Sequence, residues 1–172
     1  TGVDLDAVRE RVQQVGWVKS ARVVRLLPDT LIVEVVEHDR LAVWQSGGQV
    51  QVIDGQGRPI PGADAGRYPG LPLVVGKGAD EAAPDLLPLL TQRARLMGQV
   101  DAAIRVDERR WDLRLKGGAL IQLPALNPGE ALIRLDALDQ RERLLDLGFS
   151  RVDLRTPGAV IVRPGGEGGA AA

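Results

Sequence analysis

The sequence predicts an α+β chain with a mainly antiparallel sheet and three helices, the last two of them inside the larger, sheet-rich part. Helical apolar spacing recurs in three separate stretches. Between them, alternating apolar runs come in pairs joined by Pro-Asp, Gly-Gly and Pro-Gly turns. Such hairpin signals outnumber the strand–helix–strand alternation that builds parallel sheets.

The elements follow in order. Leu5, Val8, Val12 and Val15 recur at helical spacing, with Asp4 or Asp6 as a cap and Gly16 as a left-handed stop. Strands are expected at Ala21–Leu26 and Thr30–Glu37. Pro28-Asp29 turns the chain between them, because proline presets φ and the aspartate bonds back to the backbone. "LAVWQSGGQVQVIDGQGRPI" reads as short strands punctuated by Gly47-Gly48 and by the turn "DGQG". Residues 61–72 are too rich in Gly and Pro for a regular element and form a loop. "DEAAPDLLPLLTQRARLMGQV" suits one helix, with Pro84 and Pro88 in its first turns and Leu86, Leu90, Ala94 and Met97 as its buried stripe. "IRVDERRWDLRLKGGALIQLP" reads as strands around Gly117-Gly118, with Trp111, Leu113 and Leu115 inward and Asp112, Arg114 and Lys116 on a wet face. "NPGEALIRLDALDQRERLLDLGF" is the third helix, with Leu135, Leu138 and Leu145 inside and Gly148 as its end. The last hairpin, "SRVDLRTPGAVIVRP", turns at Pro157-Gly158, and "GGEGGAAA" is a low-complexity tail.

Composition narrows the function. With 44% apolar residues but only three Trp, one Tyr and one Phe, the core must be aliphatic. A net charge of −1, with 22 basic residues dispersed among 23 acidic ones, offers no footprint for nucleic acid. Without cysteine there is neither a disulfide nor a thiolate metal site. No run approaches the ~20 apolar residues of a membrane span. The opening "TGVDLDAV" carries no initiator Met and no signal peptide, and reads as the start of an excised piece of a longer protein.

Few residues qualify for chemistry. His38 has no second His or Cys to share a metal, so "EHDR" at 37–40 reads as a polar junction. Asp136, Asp139 and Glu142 fit a solvated helix face better than a glycosidase pair. Ser20, Ser46 and Ser150 lie outside any G-x-S-x-G setting, so no catalytic residue, cofactor or metal is assigned and the chain is read as a non-enzyme. Arg109, Arg110 and Arg155 either solvate strand exteriors or anchor an acidic partner. Gly158, Ala159, Val160, Ile161 and Val162 form an apolar strand, which is interior or, at a sheet edge, open to a partner strand.

"WVKSARVVRLLPDTLIVEVVEHDRLAVW" resembles the passage from a POTRA domain into the β domain of the bacterial cell-division family FtsQ, also called DivIB. "VIDGQGRPI", "LPLVVG" and "RVDLRTPGAVIVR" match later segments of that family in the same order, so the likeness runs from about Leu5 to Arg163. The resemblance implies a single-pass inner-membrane protein with this part in the periplasm. It also implies a divisome scaffold that binds the FtsB–FtsL coiled coil and helps control septal peptidoglycan synthesis. FtsB would add a strand at Gly158–Val162 and place acidic residues against Arg155 and against Arg109 or Arg110. Thr156 follows Arg155 where some relatives carry an aromatic residue. The implied organisation is a partial POTRA domain (helix plus β-hairpin) over 1–39, a β domain over 40–163 and a flexible tail over 164–172. At about 40 residues a partial domain is marginal by itself, so it is expected to lean on the β domain or to be poorly ordered. A POTRA module of an outer-membrane assembly or secretion protein is the alternative.

Overall fold

The computed structural model describes residues 2–166. Helix α1 (Leu5–Gln13) is capped by Asp4, whose carboxylate accepts from the N–H groups of Asp6 and Ala7. Its half-buried residues Leu5, Val8 and Val12 share one face. Strands β1 (Val18–Leu26) and β2 (Thr30–Glu37) form an antiparallel two-stranded sheet. β2 is exposed along its whole length, including Leu31, Val33 and Val35. Gly16 is not left-handed, contrary to the sequence reading. A Cβ at Gly16 would stand 1.9 Å from the Pro61 carbonyl oxygen, so glycine is required there by close approach to the loop beyond the next hairpin.

The remaining strands are β3 (Arg40–Ser46), β4 (Gln49–Asp54), β5 (Leu73–Val75), β6 (Val100–Val106), β7 (Arg110–Leu115), β8 (Leu120–Gln122), β9 (Phe149–Asp153) and β10 (Ile161–Pro164). They form one eight-stranded sheet in the order β10-β9-β8-β7-β6-β5-β3-β4. Four of its seven pairings are antiparallel, while β3–β5, β5–β6 and β8–β9 are parallel. Parallel neighbours need crossovers. Helices α2 (Ala79–Thr91) and α3 (Ala94–Gln99) make the one from β5 to β6, and α4 (Pro128–Glu142) makes the one from β8 to β9. Both crossovers step the same way across the sheet between strands of the same direction. The right-handed rule therefore sends their helices to the same face. There Leu86 and Leu90 of α2, Leu96 of α3 and Leu132 and Leu135 of α4 bury against Leu113, Ile121 and Val152.

Several element boundaries differ from the sequence reading. The single helix expected over 80–100 is two, broken at Gln92–Arg93, and both Pro84 and Pro88 lie inside α2. Each proline lacks an N–H and crowds the carbonyl four residues back, so the α2 ladder is thinned before the break. Leu96 is buried and Ala94 exposed, because the break resets the helical phase. α4 stops at Glu142, six residues before Gly148. Arg143 takes a left-handed conformation, and the buried Asp139 carboxylate binds Leu145 N at 2.9 Å and Arg95 Nε at 2.6 Å. Pro164, which the sequence reading puts in the tail, closes β10; residues 167–172 lie outside the described residues.

Candidate functional site

Two strands bound the eight-stranded sheet, and they differ in how their outer rows of N–H and C=O groups are covered. Beside β4 the chain folds back on itself. Ile60 N donates to Val52 O at 2.8 Å, Asp54 N donates to Arg58 O at 2.9 Å, and Ile53 bridges Pro59. Asp54 organises that turn by accepting from the N–H groups of Gln56 and Arg58 and from Arg58 Nε. Burial opposes ionisation of Asp54, but those donors outweigh it and hold its carboxyl below the usual range.

At the other edge, β10 pairs with β9 alone among the described residues. Gly165 N donates to Gly148 O at 3.1 Å, so that N–H faces β9. N–H groups on an extended strand alternate in direction. Arg163 and Ile161 therefore also face β9, and the main-chain donor and acceptor of Val162 point away from the sheet. Side chains alternate too: Val162 lies opposite buried Val152 and packs on the core, whereas Ile161 is 52% exposed.

The segment singled out in the sequence straddles this edge. Ile161 and Val162 belong to β10, but Gly158, Ala159 and Val160 do not. Gly158 is at φ +76 in the turn closed by Ala159 N to Thr156 O at 3.2 Å. Val160 packs partly on the core, and Thr156 is exposed in the bend. The Pro-Gly turn thus takes more residues than a tight hairpin would, and the strand starts three positions late.

A row of side chains crosses the sheet face away from the helices: Asp112, Gln122, Asp153 and Ile161 stand opposite one another on β7, β8, β9 and β10. Arg155 follows Asp153 by two positions, just past the end of β9. It is not free: Nε binds Asp153 Oδ1 at 2.9 Å and Nη2 binds Asp153 Oδ2 at 2.6 Å. Its backbone N–H also donates to Asp153 Oδ1 at 2.9 Å. The Arg155 guanidinium, aided by that N–H and by Arg151, holds the Asp153 carboxyl below the usual range despite partial burial, and the same pair raises Arg155. Arg151 and Arg163 face each other across β9 and β10. A groove of about 370 Å³ beside the edge is therefore lined by three arginines against one aspartate. Such a surface favours an acidic partner.

The two adjacent arginines of the β6–β7 hairpin part company. Arg110 lies on the same face as Asp112, and its Nε reaches Asp112 Oδ1 at 3.3 Å. Arg109, in the turn, borders a cleft on the helix side. That turn, Asp107-Glu108, holds both residues at positive φ with no glycine, so Asp107 is its one weak turn signal. Among the described residues, no group of three or more His, Cys, Asp or Glu could hold a metal ion. No described helix is long and apolar enough to cross a membrane.

Residues 42–155 match the family model "Cell division protein FtsQ/DivIB, C-terminal", and residues 1–38 match "POTRA domain, FtsQ-type". The cell division protein FtsQ of Caulobacter vibrioides is 60% identical over 163 residues, covering 95% of this chain and 54% of that protein. FtsQ of Zymomonas mobilis is 41% identical over 160 residues, 92% of this chain and 51% of its own length. FtsQ of Rhizobium radiobacter is 32% identical over 153 residues, 89% and 73% respectively. The chain spans about half the length of the first two relatives.

Proposed function

We propose that this chain, which belongs to the FtsQ/DivIB family of cell-division proteins, is the periplasmic part of a divisome scaffold anchored in the inner membrane. It binds the FtsB–FtsL coiled coil by accepting a strand of FtsB beside β10. On this reading residues 1–39 are the POTRA portion and 40–163 the β domain. Arg155 and Arg110 meet acidic residues of the partner, Ile161 and Val162 carry the pairing, and Thr156, Gly158, Ala159 and Val160 shape its approach.

The observation that carries the reading is the outward main-chain donor and acceptor of Val162, on a strand with one neighbour among the described residues. Main-chain pairing supplies affinity without demanding a particular partner sequence, and the basic groove sets polarity and register. The experiment is calorimetric titration of the periplasmic segment of the cognate FtsB into the chain and into Val162→Pro. Proline removes the outward N–H but no bond to β9, as edge strands tolerate. Binding should be lost, while the melting temperature falls only by the packing that a half-buried valine gives up. Equal affinity for the two proteins would refute strand addition.

A further inference from the structure

Another open feature lies on the helix side of the sheet, around the turn between β6 and β7. Arg105 stands opposite Trp111 in the row that elsewhere presents apolar side chains to the helices; Ala103, two positions back, is buried. A charge in such a row needs water or a partner, because desolvation is costly. Arg105 is incompletely supplied. Its guanidinium lies 5.1 Å from the centroid of the Trp111 ring, and Nη2 donates to the Glu108 carbonyl at 3.0 Å. Its Nε is buried and has no partner. Burial pushes the guanidinium below its usual pKa, against the pull of Glu108. The Glu108 carboxylate itself is engaged by Lys77 at 2.6 Å.

Arg105 and Arg109 both line a cleft of about 360 Å³ between this hairpin, α2 and the start of α4. Leu89 and Ala82 form an apolar wall, and Asp85 is the one acidic residue on the lining. No hydrogen bond or ion pair engages the Arg109 side chain among the described residues.

We propose that this cleft is a docking point, separate from the β10 edge, that receives an acidic side chain of a partner polypeptide. A guanidinium offers five N–H donors in a rigid fork that matches a carboxylate. The Trp111 face holds the Arg105 fork in place, so little freedom is lost on binding. Two cationic side chains face a single Asp85, which leaves a positive surplus. The apolar wall selects a polypeptide over a free anion, because Leu89 and Ala82 are covered only when the carboxylate arrives with flanking aliphatic groups. The site stands three strands from β10 in the sheet order. It does not depend on strand addition.

The test uses the whole chain, labelled for NMR, with the capped tetrapeptide acetyl-Leu-Glu-Leu-Glu-amide as probe and its Leu-Gln-Leu-Gln counterpart as control. The Nε–H signals of Arg105 and Arg109 and the Trp111 indole signal should shift saturably with the acidic peptide and not with the control. Arg109→Ala, an exposed turn position, should keep the fold and weaken the apparent Kd about fivefold or more; Arg105→Gln should do the same. Val162→Pro should leave the shifts unchanged. Absence of a saturable shift, equal shifts with the glutamine peptide, or full binding by both arginine variants would overturn the proposal. So would equal shifts with inorganic phosphate at the same concentration, which would mark a general anion site.

Discussion

The Arg155 guanidinium is held at both its Nε and Nη2 by Asp153, so an acidic partner must share it or displace that carboxylate. On the strand-addition proposal, Asp153→Asn should release Arg155 and tighten FtsB binding up to about fivefold, while Arg155→Ala should weaken it by a similar factor, the range of an exposed pair. Titration calorimetry at low and high salt checks both, and the effects should shrink as salt screens them. The same pair gives a pH dependence. The Asp153 pKa is depressed in the folded state. Its stabilisation is therefore present above the ordinary carboxylate range and lost as pH falls through the folded value. Melting curves from neutral into acid pH should show Asp153→Asn with a shallower acid loss than the wild type, by less than about 1 kcal/mol. Three residue-level readings needed the fold. Gly16 carried the signal of a helix stop but answers to a distant carbonyl. Arg109 and Arg110 look equivalent in sequence but occupy opposite faces. Asp112, assigned to a wet face, is buried among its neighbours.

Elements were more legible than residues where periodicity was long. β1 and β2 needed little correction, because eight or nine residues of alternation around a Pro-Asp turn leave little freedom. β5 had no such support: three residues between Pro72 and Gly76 show no period, although β5 joins β3 to β6. Helix ends were also poorly legible, since Asp139 and Arg95, 44 positions apart, close α4 more firmly than Gly148. At this scale β10 carries the main prediction. Val162→Pro should abolish the proposed strand addition, whereas Val160→Pro, which lies before β10, should cost similar packing and leave the pairing intact. FtsB affinity measured at matched thermal stability separates the two variants.

In the whole molecule the small and large sheets meet where Gly16 touches Pro61. Nearby, His38 N donates to Trp17 O at 3.2 Å, and the Arg40 guanidinium lies 4.4 Å from the centroid of the Tyr68 ring. Gly16→Ala forces a methyl into a carbonyl, and the backbone must shift. Denaturant unfolding should show a loss of about 1–3 kcal/mol, the usual range for overpacking. No loss would mean that the two sheets part freely there. By itself the sequence determined the α+β class, the hairpins, the aliphatic core and the family resemblance. Each of these is written in local periodicity, turn chemistry or ordered motifs. Tertiary structure alone decided which strand ends the sheet, where the chain crosses in parallel, and which arginine meets which carboxylate. Those depend on pairings between residues far apart in the chain, and alternation along one strand says nothing about the identity of its neighbour.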